Sequence, residues 1–260
     1  MENFMIKLIA SDLDKTLMQR TESRLSPTVE NDIKAALNRG VQFAVISGRD
    51  YPSLRKVFAS VADRIYFVGC CGALCVKGGK LLSSHPVSFD HVLQAMQIAS
   101  VQHKNLVLCG KEKVYVYGSE AFKQKVHSLY GSDAVTEGVV PSKIKENIYK
   151  LSFYSYDTEN TPTGFDVTPF GLRIFYQKNG WCEYINRFAG KGESLQDLQF
   201  RLGVTKAETV GAGDELENDL GLLLHCGVAF AATPDLASAT GATLFTDPHV
   251  IFGKEDTVAF

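Results

Sequence analysis

Residues 5–18 read Met-Ile-Lys-Leu-Ile-Ala-Ser-Asp-Leu-Asp-Lys-Thr-Leu-Met, and the rest of the chain is organised around them. Residues 5–10 form a short, mostly apolar run, the pattern of a buried strand. The run stops at Ser11-Asp12-Leu13-Asp14-Lys15-Thr16, where two carboxylates flank one leucine. Side chains alternate on extended backbone, so Asp12 and Asp14 point one way and Leu13 the other. Like charges this close raise each other's pKa unless something positive lies between them. Mg²⁺, a hard cation held by one or two carboxylates plus water and phosphate oxygens, suits that demand. A polar turn closed by an aspartate accounts for the same pentapeptide without any chemistry.

With 260 residues the chain can build a full core and two compact units. A formal net charge of -2 offers no footprint for nucleic acid or an anionic membrane. No apolar run approaches the ~20 residues of a membrane span. Met1-Glu2-Asn3 ahead of a six-residue apolar strand is not a secretory pattern. Cys70, Cys71, Cys75, Cys109, Cys182 and Cys226 follow no framework spacing, so they read as reduced thiols in a cytoplasm. The Cys70-Cys71-Cys75 group with His85 matches no zinc spacing and reads as buried apolar packing.

From residue 11 onward the first 70 residues alternate strand and helix. Ser26-Pro27 caps a helix that Gly40 stops, a strand covers 41–46, a helix about 53–62, and a strand 65–69. This order implies parallel strands joined by right-handed crossovers. A hairpin around Gly78-Gly79 follows. The texture changes near His85-Pro86. Helices at 88–102 and 119–130 alternate with strands at 105–109, 113–117 and 147–156, and Asn179-Gly180 joins strands 172–177 and 181–185. After residue 187 the first texture returns, with a helix at 191–201 and strands at 208–212, 228–231 and 242–245. The fold class is therefore α/β, a doubly wound, mostly parallel sheet. Its core spans 1–85 and 187–260, and an α+β domain at 86–186 is inserted between them.

In open parallel sheets, ligands bind beyond the carboxyl ends of the strands, where the strand order reverses. Asp12, Asp14, Ser47-Gly48-Arg49, Asp214 and Asp219 all fall at such ends, and Lys191 begins the helix leading to the last of them. Two acidic clusters, a hydroxyl and a lysine at one edge are what phosphoryl transfer through an aspartyl phosphate requires: a carboxylate nucleophile, a cation to offset charge, and donors for the phosphoryl oxygens. Other phosphate and nucleophile motifs fail. Gly211-Ala-Gly213 lacks the third glycine of a dinucleotide fingerprint, Gly190-Lys191-Gly192 lacks the Ser/Thr of a P-loop, and Ser47 lacks the Gly-x-Ser-x-Gly setting.

Asp-Leu-Asp-Lys-Thr, Val-Ile-Ser-Gly-Arg, Gly-Lys-Gly and Gly-Asp-Glu-Leu-Glu-Asn-Asp together resemble the four ordered motifs of the haloacid dehalogenase (HAD) superfamily. The match is nearest to its type IIB, Cof-like phosphatases, which carry an α+β cap between the second and third motifs. The resemblance implies a HAD-like Rossmannoid core and a Mg²⁺-dependent phosphatase acting on a small phosphorylated metabolite, such as a sugar phosphate. It implies Asp12 as nucleophile and metal ligand, and Asp14 as acid/base with its carbonyl on the metal. Ser47 and Lys191 would hold the phosphoryl group, with Thr16, Gly48 and Arg49 also on the substrate side. Asp214 would bind the metal directly, and Asp219 or Asn218 would act beside it. Lys15, Cys71-Gly72-Ala73 and Ala231-Ala232 depart from the family's usual glycine, Asn-Gly-Ala and Gly-Asn. A phosphomutase of the same superfamily and a non-catalytic phospholigand-binding protein are the alternatives. In the fourth motif one residue beyond Gly-Asp-x-x-Asn-Asp leaves Asp219, Asn218 and Glu217 as rivals, and absorption of that residue in the loop favours Asp219. Lys111, Lys113, Lys143, Lys145 and Lys178 are candidate contacts of the cap with an anionic substrate.

Overall fold

The structure, a computed structural model, describes residues 5–19, 21–157 and 164–253, so the ends of the expected core segments (1–4 and 254–260) lie outside the described residues. Two sheets organise the chain. The first contains β1 (Leu8–Ser11), β2 (Gln42–Ile46), β3 (Tyr66–Gly69), β4 (Leu74–Lys77) and β5 (Lys80–Ser84). The second contains β6 (Asn105–Gly110), β7 (Val114–Tyr117), β8 (Val135–Glu137), β9 (Ile148–Tyr154), β10 (Leu172–Lys178) and β11 (Trp181–Asn186). β12 (Thr209–Gly213), β13 (Val228–Ala231) and β14 (Thr243–Leu244) return to the first sheet.

The first sheet runs β14-β13-β12-β1-β2-β3-β4-β5 and is parallel except at β4, which pairs antiparallel with both β3 and β5. β1 lies in the middle, flanked by β2 and β12, so the winding reverses beside it. In register, Ser11 stands opposite Val45 on one side and Ala212 on the other. The residues that follow these three strands therefore emerge at one edge, the crevice where such sheets bind ligands.

Helix ends carry the expected caps. Ser26 Oγ accepts from Val29 N at 3.3 Å to start α1 (Pro27–Asn38). The second helix, α2 (Tyr51–Val57), is shorter than the spacing predicts, because Asp50 caps it early and residues Ala59–Val61 tighten into a 3₁₀ turn. Ser88 and Ser119 cap α3 (Phe89–Val101) and α4 (Glu120–Tyr130). α5 (Lys191–Leu202) ends on Gly203 in the left-handed conformation; α6 (Leu216–Leu224) and α7 (Pro234–Thr240) complete the set. Among the described residues no helix is long and apolar enough to cross a membrane. All six cysteines are buried free thiols.

The second sheet runs β10-β11-β9-β6-β7-β8. It is antiparallel apart from the β7–β8 pair, where the polar stretch after α4 adds a short parallel edge strand that periodicity does not signal. Alternation along β9 sends Leu151 and Phe153 towards α3, with Leu106, Leu108 and Tyr184. Lys150 and Ser152 take the opposite face, beside Glu183 of β11, and that face looks onto the carboxyl edge of the first sheet.

Gly72 packs the turn after β3 against the residue preceding α5. Its φ is +92°, and a Cβ there would lie 2.1 Å from the Gly190 carbonyl oxygen. Both facts exclude any L side chain. Gly72→Ala is expected to cost at least about 2 kcal/mol in urea unfolding, since backbone must move on both sides of the clash.

Candidate active site

Asp12 follows β1 and is 4% exposed. Its amide donates to Ala212 O at 2.9 Å, which continues the β1–β12 ladder past the strand end. Lys191, the first residue of α5, is also buried. Its ammonium lies 2.7 Å from Asp12 Oδ1 and 2.6 Å from Asp219 Oδ1. The second oxygen of Asp219 accepts from the amides of Asp214 and Glu215, both at 3.0 Å. Those amides are free because they lie at the N-terminal end of α6, where backbone donors have no helical partner. Gly213 makes room for this carboxylate: a Cβ there would sit 2.6 Å from Asp219 Cβ.

Carboxylate oxygens of Asp12, Asp214 and Asp219 lie within 4.8 Å of one another. Burial pushes the Asp12 carboxyl up to about 8; Lys191 opposes the rise and Asp219 adds to it. Burial, then Asp219, likewise raises Asp214. Burial works against charge on Lys191, yet Asp12 and Asp219 hold its pKa well above the ordinary value. Two of the three carboxylates pair with Lys191, and the third, Asp214, has Lys15 at 3.8 Å. A cluster with this excess of hard oxygen donors fits a divalent cation, which would restore the ionised form of Asp12.

The remaining residues singled out in the sequence separate into two groups. Asp14 does not join the acidic cluster. Its side chain makes a two-point pair with Arg49, at 2.9 Å (Nε–Oδ2) and 2.6 Å (Nη2–Oδ1). Lys15 sits at φ 63°, a left-handed position that explains why glycine suits it, and its ammonium lies 3.8 Å from Asp214. The Thr16 hydroxyl is buried without a hydrogen-bond partner among the described residues. Ser47 is buried after β2, and its hydroxyl accepts from the Arg49 amide at 3.2 Å. In the fourth motif, α6 begins at Leu216 with Glu215 as its cap, so the additional residue is taken up before the helix. Asp219 points inward, Asn218 donates to Glu215 Oε2 at 2.6 Å, and Glu217 is exposed.

A cavity of about 670 Å³ opens over this edge. Asp12, Asp14, Ser47, Gly48, Arg49, Lys191, Asp214, Asn218 and Asp219 line its floor, and β9–β11 form its roof. Of the five lysines expected to reach an anionic substrate, Lys178 lines the cavity. Lys111, Lys113, Lys143 and Lys145 do not; three of them bond locally, to Glu112, the Asp133 carbonyl and the Ser142 carbonyl. Lys150 and Glu183, which no motif of the sequence singles out, also line the cavity. A lysine inside Ile148-Tyr-Lys-Leu-Ser-Phe-Tyr154 was the available signal.

A model of haloacid dehalogenase-like hydrolases matches residues 9–239. The 5-amino-6-(5-phospho-D-ribitylamino)uracil phosphatase YbjI of Escherichia coli (strain K12) is 24% identical over 242 residues, covering 87% of this chain and 84% of its own. A haloacid dehalogenase-like hydrolase from B. subtilis has the same fold, with a TM-score of 0.75, 20% identity, and 92% and 94% of the two chains covered. The HAD subclass IIB sugar phosphatase BT4131 superposes with a TM-score of 0.73 at 16% identity, over 94% of each chain.

Removing the central cation leaves buried carboxylates unpaired, which is far more destabilising than replacing a whole charged cluster. Lys191→Met is therefore expected to lose about 3–5 kcal/mol of stability in metal-free buffer. Equal urea midpoints for variant and parent would contradict this account of the cluster.

Proposed function

Since the chain belongs to the haloacid dehalogenase-like hydrolase family, we propose that it is a Mg²⁺-dependent phosphatase of small phosphorylated metabolites, working through an aspartyl phosphate on Asp12. The observation that carries this reading is the buried Asp12 carboxylate, held by Lys191 at 2.7 Å and opening onto a 670 Å³ cavity. Phosphatase names among the relatives support it.

Asp12 attacks phosphorus, and the bond to the ester oxygen breaks. Lys191 and the Ser47 hydroxyl lie where they can donate to the phosphoryl oxygens. Asp14 delivers a proton to the departing oxygen and then takes one from the water that hydrolyses the aspartyl phosphate. The two-point contact with Arg49 orients the Asp14 carboxylate between these steps. Asp12, Asp214 and Asp219, with the Asp14 carbonyl, would hold Mg²⁺, which would supply positive charge to offset that of the phosphoryl group. Asn218 keeps the start of α6 in place through its bond to Glu215. We assign residues 1–85 and 187–260 to the catalytic core and 86–186 to a cap that covers the site and excludes water. Free thiols suit a reducing cytoplasm.

Asp12→Asn keeps the shape and removes the nucleophile, so turnover is expected to fall on the order of 10³-fold or more. The assay follows orthophosphate release from p-nitrophenyl phosphate and a metabolite panel. Near-normal turnover would remove Asp12 from its role, and an isomerised sugar phosphate without orthophosphate would point to a mutase.

Calorimetric titration with Mg²⁺ separates the acidic residues. Asp214→Ala and Asp219→Ala should each weaken binding by at least about tenfold, whereas Glu217→Ala should leave it close to the parent. Loss of binding in Glu217→Ala alone would assign the cation to a different set.

A further inference from the structure

The cavity roof is charged but already neutralised. Among the described residues the cations lining the whole cavity, floor and roof, are Lys15, Arg49, Lys56, Lys150, Lys178 and Lys191. Lys191 faces Asp12 and Asp219, Arg49 faces Asp14, and Lys178 faces Glu215. Lys15 lies near Asp214, and Lys56 reaches Asp133 at the rim. Lys150 is the deepest cation of the roof. It donates to Gly48 O at 3.1 Å and stands 3.2 Å from Glu183 Oε1. That same oxygen accepts from Ser152 at 2.7 Å, so the other carboxylate oxygen of Glu183 has no partner among the described residues.

We infer that Lys150 and Glu183 form the subsite that reads the leaving group, selecting phosphate monoesters with an uncharged, hydroxyl-bearing leaving group over those with a second anion. This rests on the phosphatase reading above. An ammonium with a hydrogen to spare beside a carboxylate oxygen with a lone pair to spare offers one donor and one acceptor. Neighbouring hydroxyls of a sugar or polyol, each able to give and accept, match that pair. Phe175, Tyr176 and Trp181 supply an apolar wall for the carbon side of such a group.

A second anion meets the opposite situation. Lys150 is nearly buried, and Glu183 balances its charge. An incoming carboxylate or phosphate would have to approach Glu183 and break a buried pair, leaving one charge uncompensated. Neither Lys178 nor Arg49 can answer it without deserting Glu215 or Asp14. The phosphoryl group being transferred would escape this penalty through the divalent cation that the acidic cluster on the floor would hold.

Sorbitol 6-phosphate and 6-phosphogluconate make the test, since they differ at C1, a CH₂OH against a carboxylate. With the full chain and Mg²⁺, kcat/KM should favour sorbitol 6-phosphate by about tenfold or more. Glu183→Gln keeps the shape and the Ser152 contact but frees Lys150, so that preference should shrink by about tenfold or reverse. A double variant, Lys150→Met with Glu183→Leu, removes both charges of this pair together and leaves neither unpaired. It should lose about tenfold on sorbitol 6-phosphate relative to p-nitrophenyl phosphate, through KM. Equal use of the two esters by the parent, or an unchanged preference in both variants, overturns the inference while leaving the phosphatase reading intact. Failure to hydrolyse any ester, p-nitrophenyl phosphate included, overturns that reading and the inference with it.

Discussion

The buried ammonium of Lys191, bridging Asp12 and Asp219, is the contact on which the rest depends. Withdrawing three charges from water costs several kcal/mol for each ion before their attraction is counted. An apolar cluster of the same volume would hold β1, α5 and α6 together at least as well. A fold that keeps the charges has been shaped for something other than stability, and the acidic excess around the lysine says what that is. It favours a cation and an anion arriving together.

Holding those charges in place falls to the backbone. Parallel register sets Ser11 level with Val45 and Ala212, so three consecutive strand ends deliver their next residues to one edge. The N-terminal end of α6 gives its unpaired amides to Asp219, which fixes one carboxylate oxygen and turns the other to Lys191. Gly72 and Gly213 remove side chains where backbone or carboxylate must come close.

The roof is built on different terms. β9 and β11 lie in a mainly antiparallel sheet with one face packed on α3 and the other facing the site. On that second face Lys150 and Glu183 neutralise each other, and Lys150 also grips the Gly48 carbonyl next to Ser47. The roof therefore contacts the floor directly, at the residue after Ser47.

Much of this was legible in the chain. Asp12-Leu13-Asp14 stands out because alternation puts two carboxylates at the end of one buried strand, and strand–helix alternation implies a parallel sheet whose carboxyl edge gathers Ser47, Lys191 and Asp214. Helix caps at Ser26, Ser88 and Ser119 follow from local chemistry alone. Other features needed the folded molecule. Asp14 and Arg49 are 35 residues apart, and no spacing rule pairs them. One added residue before α6 could have turned Asn218 or Glu217 inward, and only the cap at Glu215 decides for Asp219. Lys150 and Ser152 alternate with Leu151 and Phe153, the pattern of a strand with one wet face. Docking of the two sheets covers that face, so a lysine that no sequence motif singles out becomes a buried charge above the site.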